Sequence, residues 1–292
     1  MQLGVVFPQT EIGTDPAAIR DYVQAVEGAG YRHLLAFEHV LGVDPEGTDG
    51  PTRGYTHESQ FHEPLVLFGY LAATTQSLEL VTGILILPQR QAVLVAKQAA
   101  EVQVLSGGRL RLGVGVGWNE AEFEGLNENF RNRGRRIEEQ IALLRALWAK
   151  SSISFEGRDH RITRAGISPL PPEGTIPIWM GGMADPVLDR VGRLADGWFP
   201  QYREPAELAA GLERVHEAAR AAGRETDAIG IECRVGVADG GAEALSAAVA
   251  SARQFEEVGA THLGVNTMGA GFSSPQQHID AIRVFAEEWG EM

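Results

Sequence analysis

The sequence predicts an α/β protein built as one (β/α)8 TIM barrel. Three observations carry this. Short apolar runs alternate with helical periodicities almost from end to end. No glycine-rich turn follows the first apolar run, where an open doubly wound sheet usually carries one; that position reads Pro8-Gln9-Thr10. And a chain of 292 residues, 44% of them hydrophobic, has the length and the apolar content for such a barrel as one domain spanning residues 1–292.

The expected strands, in order, are Leu3–Phe7, His33–Phe37, Leu78–Leu87, Leu110–Val116, Ile176–Met180, Gly197–Pro200, Ile229–Val237 and His262–Val265. The first helix starts where Asp15 offers an N-cap and Pro16 suits the first helical position, and it breaks at Gly28 and Gly30. Gly107-Gly108 break a later helix. Ile137, Ile141, Leu144 and Trp148 recur at i, i+4, i+7 and i+11, as do Leu208, Leu212, Val215 and Ala219. A last helix follows the cap signal Ser274-Pro275 and carries Ile279, Ile282, Phe285 and Trp289. Two insertions interrupt the alternation. One runs from Val40 to Phe61 after strand two. The other, Ser151 to Thr175 before strand five, contains Ile153-Ser154-Phe155-Glu156-Gly157 and reads as a small hairpin. Loops of this length in a compact domain tend to be functional covers.

Composition narrows the partners. A net charge of −14 speaks against nucleic acid and anionic membrane surfaces. The local exception, Arg131 to Arg136, is followed by Glu138 and Glu139 and reads first as a self-paired solvated surface, second as an anion site. No apolar run approaches the ~20 residues needed to span a bilayer, and Met1–Phe7 reads as a strand rather than a signal peptide. Cys233 is the sole cysteine, so neither a disulfide framework nor a zinc site is expected and the thiol reads as inert core. A reducing cytoplasm is the expected setting.

In such a barrel the working residues stand at the C-terminal ends of the strands. Those ends offer Gln9, then Glu38 and His39, then Gly83 and Ile84, then Gly115-Val116-Gly117-Trp118-Asn119, then Gly181-Gly182-Met183, and finally Gln201 and Asn266. This is a polar rim over an expected apolar barrel. Gly181 and Gly182 precede a helix starting near Asp185, so they are either a phosphate cradle or a tight strand-to-helix turn. Gly113, Gly115 and Gly117 mark a strand against which a planar ligand or another backbone lies close. His39 is a candidate proton-transfer group, with a structural role as the alternative. The other histidines lack metal-ligand spacing, so no metal is expected, and neither a serine-hydrolase elbow nor a P-loop is present.

Taken together, several segments resemble the luciferase-like monooxygenase superfamily, in particular its branch that uses the deazaflavin coenzyme F-420. They are Phe37-Glu38-His39-Val40, Gly83-Ile84-Leu85-Ile86-Leu87-Pro88, Ala96-Lys97-Gln98-Ala99-Ala100, Leu105 to Leu110, Gly113 to Asn119, Pro177-Ile178-Trp179-Met180-Gly181-Gly182 and Ala195-Asp196-Gly197-Trp198. The resemblance covers nearly the whole chain. It implies a non-proline cis peptide at Gly83–Ile84, forming a bulge that backs the tricyclic ring. It further implies a cofactor phosphate at Gly181, Gly182 and Met183, with Gly115, Trp118 and Asn119 around the same pocket, and His39 at the ring edge or donating a proton, helped by Glu38 and Gln9. One departure is Glu38, where many deazaflavin-binding relatives have aspartate.

The activity so implied is hydride transfer between reduced coenzyme F-420 and a small organic substrate. Two alternatives accompany it: a monooxygenase using FMN supplied reduced by a partner flavin reductase, and a barrel that binds the cofactor without turnover. The resemblance also implies a homodimer formed through helices flanking strands two and three, where Leu65, Val66, Leu67, Phe68 and Tyr70 form an apolar stretch that could equally be a barrel-facing helix.

Overall fold

The computed structural model describes residues 1–46 and 54–291. The part of the first insertion at residues 47–53 therefore lies outside the described residues. Its strands are β1 (Gln2–Val6), β2 (His33–Ala36), β3 (Glu79–Thr82), β4 (Leu85–Ile86), β5 (Leu110–Gly115), β6 (Ile153–Glu156), β7 (Arg161–Ala165), β8 (Ile178–Gly181), β9 (Gly197–Phe199), β10 (Gly230–Gly236) and β11 (His262–Asn266). The principal helices are α1 (Pro16–Gly28), α2 (Pro64–Thr74), α3 (Ala92–Leu105), α4 (Glu120–Gly125), α5 (Arg133–Ala149), α6 (Asp185–Leu194), α7 (Pro205–Ala221), α8 (Ala242–Glu257) and α9 (Pro275–Glu291).

The parallel sheet runs β3-β2-β1-β11-β10-β9-β8-β5-β4, and β3 also pairs with β5, so the sheet closes on itself. β3 and β4 are the two halves of one barrel strand, interrupted at the cis peptide Gly83–Ile84. The expected TIM barrel is thus present. The single expected run Leu78–Leu87 breaks at the position where the resemblance implied a bulge. Asp15 caps α1 by accepting from Ala17 N–H at 2.9 Å, ahead of Pro16. Gly30, Gly107 and Gly108 adopt the positive φ that ends helices cleanly. The insertion before strand five does form an antiparallel hairpin, β6 with β7.

Strand alternation builds two packed layers. Val5, Leu34, Leu80, Leu112 and Ile178 face the helices and belong to the main core. Val6, Leu35, Val81, Trp179 and Phe199 belong to a separate cluster with Phe37 and Ile84. Beside it sits a group that the expectation of an apolar barrel missed. Arg111 Nη1 donates to Glu232 Oε2 at 2.7 Å and its Nε donates to Glu79 Oε2 at 3.0 Å, while His33 Nε2 lies 3.0 Å from Glu232 Oε1. Arg111, Glu232 and His33 are buried. The Arg111 guanidinium also stacks 4.2 Å over Trp179, whose indole lies where Gly197 and Gly230 provide no Cβ. The expectation is corrected: four strands meet there through an ionic network, tolerable inside the barrel only because its members are mutually paired. Burial pushes the Glu232 carboxyl up, but His33 and Arg111 together pull it down to about 2.

The basic run is paired, though not with its own helix. Arg136 bonds to Glu128 and Arg135 to Asp159, whereas Glu138 meets Arg190 and Arg193, and Glu139 meets His160. Cys233 is buried, and burial raises its thiol to about 12, in keeping with an unreactive core residue. Among the described residues no helix is long and apolar enough to cross a membrane.

Candidate active site

β2 delivers Glu38 and His39 to the mouth of the barrel, and the two side chains separate there into different networks. His39 Nδ1 lies 3.0 Å from Glu122 Oε1, at the start of α4. The same oxygen accepts from Val40 N–H at 2.9 Å and Leu41 N–H at 3.4 Å, so it acts as a carboxylate and His39 Nδ1 is the donor. Nε2 is then the nitrogen left to exchange a proton. Tyr55, Phe61 and Trp118 surround the imidazole, with ring centroids 5.3, 4.8 and 5.7 Å away. Two of these come from the first insertion, which therefore does border the site.

Glu38 is buried and engaged. One carboxylate oxygen takes the Arg90 guanidinium and the other takes Ile86 N–H on β4. Arg90 also donates to Glu63 at 2.9 Å. Burial pushes the Glu38 carboxyl upward, against the pull of Arg90 and the Ile86 amide. Its carboxylate ties β2 to the strand just beyond the bulge. Gln9 is fully buried, donates to Phe37 C=O at 3.0 Å, and does not line the cavity described next.

That cavity, about 520 Å3, opens at the C-terminal ends of the strands and lies within the ~300–1,000 Å3 range of small-molecule sites. Its walls include Gly83, Ile84, Trp118, Gly181, Gly182 and Met183, all singled out in the sequence, together with His39 and Gln201. Gly115 is not on the wall and serves differently. A Cβ there would lie 1.8 Å from Ile84 Cδ1, and one on Gly181 would lie 2.9 Å from Ile84 Cγ2. The two glycines form the seat into which the bulge drops Ile84, so the apolar face at this point of the wall is set by residues on three strands. Gly182 has φ 131°, a conformation that suits glycine, and α6 begins three residues later. Asn119 does not line this cavity either. It caps α4 by accepting from Ala121 N–H at 3.2 Å and donates to Leu41 C=O at 3.3 Å. Asn266 likewise caps a turn, accepting from Met268 N–H at 3.1 Å.

Sequence reasoning missed Glu122, Arg90, Tyr55 and Arg234, the last two of which line the cavity. For Glu122 and Arg90 the partner lies 83 and 52 residues away in the chain, so no local spacing betrays the pair. Arg234 did carry a signal: with Glu232 it is one of two charges inside a buried strand. A second chamber of about 540 Å3 lies against Glu38, His39, Phe61 and Arg90, between α2 and α3. Among the described residues no group of three or more His, Cys, Asp or Glu could hold a metal ion.

The geometry fits a planar cofactor with a phosphate-bearing tail. An apolar wall of Ile84, Ile86, Val116 and Val187 runs to a glycine turn at a helix start, and a positioned histidine stands on the same cavity. Comparison with known proteins agrees on the fold and the family. The model of the luciferase-like monooxygenase family matches residues 1–283. An uncharacterized protein of Mycobacterium tuberculosis is 32% identical, covering 96% of this chain and 97% of its own. The FMNH2-dependent dimethylsulfone monooxygenase of Pseudomonas fluorescens is 28% identical over 88% of this chain and 67% of its own. Among solved structures, an F-420-dependent secondary alcohol dehydrogenase in complex with an F-420–acetone adduct superimposes with a TM-score of 0.78 at 17% identity, covering 98% of this chain and 97% of that one.

Proposed function

The chain belongs to the luciferase-like monooxygenase family, and from that premise we propose that it is an oxidoreductase transferring a hydride between reduced coenzyme F-420 and a small organic substrate. The observation that carries the reading is His39, fixed through Nδ1 by Glu122 on a cavity bounded by the Gly83–Ile84 bulge and the Gly181–Gly182 turn.

The deazaflavin, when bound, supplies the hydride chemistry. Everything else falls to the chain. Gly83 and Ile84 would back the ring, with Ile86 and Val116 extending the apolar wall, and the turn at Gly181, Gly182 and Met183 would border the phosphate. His39 Nε2 gives or takes the substrate proton while Glu122 holds the tautomer. Glu38 acts at one remove, holding Arg90 and the backbone after the bulge. Tyr55, Phe61 and Trp118 shield the imidazole from water.

A second reading is favoured by the dimethylsulfone monooxygenase likeness: FMN, reduced by a partner flavin reductase, activating dioxygen in the same cavity. Oxygen uptake separates the two. Protein with reduced deazaflavin should oxidise it in step with reduction of the substrate and without taking up oxygen. Substrate-dependent oxygen consumption with reduced FMN, and none of this exchange, would replace the first reading with the second.

The partner in this reading is a second copy of the chain. α2 turns Leu65, Leu67 and Phe68 inward but leaves Val66 71% exposed, and Leu94 and Leu105 of α3 are 53% and 57% exposed. With Tyr70 and Val93 they make an apolar face of the kind that marks an interface.

A further inference from the structure

Arg234 stands on β10 at the cavity described above, and its stem runs beside Gly264, whose absent side chain leaves it room. Its guanidinium lies 5.1 Å from the Phe37 ring. What sets it apart is the lack of an acceptor. Arg111 is bound by Glu232 and Glu79, and Arg90 by Glu38 and Glu63. Arg234 forms no hydrogen bond and no ion pair among the described residues.

The nearest carboxylate on its own strand does not change this. Glu232 lies one inward-facing position below, and its attraction partly offsets the burial that lowers the Arg234 guanidinium. Both Glu232 oxygens are already used, one by Arg111 and one by His33. The carboxylate that does line the cavity, Glu38, belongs to Arg90. Tyr55, on the same wall, has its hydroxyl pushed up by burial and remains neutral. The donors of a planar fork therefore stand on the chamber without a protein acceptor, and this half-buried guanidinium is open to a ligand oxyanion entering from the cavity.

We infer that Arg234 is a specificity-determining residue that binds an oxyanion on the substrate, so that the substrate class is small organic acids bearing a carboxylate. This rests on the reading of the cavity as the reaction chamber. Carboxylate matches the guanidinium fork in two parallel hydrogen bonds, which fixes orientation as well as affinity. Phe37, whose ring lies beside the guanidinium, would accommodate the apolar remainder of the acid.

The test uses the full chain without cofactor, so it does not depend on which cofactor the protein takes. Hexanoate and benzoate are titrated by calorimetry against their neutral amides, with wild type, Arg234→Gln and Arg234→Lys. Wild type should bind the acids at least tenfold more tightly than the amides. Arg234→Gln should abolish that preference, and Arg234→Lys should keep part of it because charge persists while the fork is lost. The far-ultraviolet spectrum and melting temperature of each variant establish that it is folded. Equal binding of acid and amide by wild type, or an unchanged preference in folded Arg234→Gln, would overturn the inference. So would a result in which Arg234→Gln leaves acid binding intact and instead weakens FMN or deazaflavin binding tenfold, because the guanidinium would then serve the cofactor. Failure to bind either cofactor would count against the hydride-transfer reading and leave acid recognition to stand or fall by itself.

Discussion

His39 Nδ1 and Glu122 Oε1 lie 3.0 Å apart, although β2 and α4 place them 83 residues apart in the chain. The pair decides which imidazole nitrogen can work. Replacing His39 by Gln should lower kcat by ~10²–10⁴-fold, the range for general acid–base catalysis, with cofactor affinity changed less than threefold. Glu122→Gln should keep measurable turnover but displace the pH–rate profile, since the amide oxygen can still accept from Nδ1, Val40 and Leu41 while the negative charge beside the imidazole is lost. A His39→Gln protein with undiminished turnover would remove His39 from the chemistry.

The seat under Ile84 makes a prediction about two glycines. Gly115→Ala puts a methyl group 1.8 Å from Ile84 Cδ1, whereas Gly181→Ala puts one 2.9 Å from Cγ2. Overpacking of this kind costs roughly 1–3 kcal/mol, and Gly115→Ala should be the more damaging, weakening cofactor binding more than tenfold. Gly236→Ala, with nothing within 4 Å, is the control and should bind as wild type does. Titration of the three variants with cofactor checks the order.

Inside the barrel, Arg111 and Glu232 are buried partners at 2.7 Å. Arg111→Met strands the carboxylate and should destabilise by about 3–5 kcal/mol in denaturant unfolding. A loss under 1 kcal/mol would mean that water reaches Glu232.

Stability should fall on the acid side for a separate reason. Burial, with Arg111 and His33 adding to it, lowers His262 to about 3, and burial lowers His278 to about 4. Both histidines bind protons more readily when unfolded, so the unfolded state gains protons first as pH drops below about 6.5. Each should cost about 2 kcal/mol of stability by pH 5. Glu232, lowered to about 2, adds its own loss only below about pH 4.5. Denaturant melts at pH 7 and pH 5 should show the drop, and His278→Gln should reduce it by roughly half. A flat profile would contradict the burial of both rings.

The apolar face on α2 and α3 should hold two copies together. Sedimentation of wild type should give a dimer, and Val66→Glu with Leu94→Glu a folded monomer, since both positions point outward. A wild-type monomer at micromolar concentration would remove the homodimer from the account.

The barrel was legible because strand and helix periods differ and because Asp15-Pro16 and Gly107-Gly108 are local punctuation. The glycine turn at Gly181-Gly182 and the position of His39 were legible as strand ends. Resemblance alone pointed to Gly83–Ile84, since nothing in the spacing of that apolar run marks a break. What stayed hidden depends on barrel closure. Asn119 reads as rim but turns to cap α4, and Gly115 reads as a ligand contact but makes room for Ile84. Glu38 reads as a free acid until Arg90 is brought to it. Arg111 and Glu232 are charges in strands, which could have marked an interior pair, but their pairing required knowing that β5 and β10 face each other across the barrel.

The central claim is that this cavity holds a deazaflavin for hydride transfer. Fluorescence titration of the purified protein with coenzyme F-420 and, in parallel, with FMN tests it most directly. The account predicts saturable F-420 binding at least tenfold tighter than FMN, and a further loss of F-420 affinity in Gly115→Ala. Tighter FMN binding, with F-420 failing to saturate, would contradict it and move the chain to the oxygen-using reading.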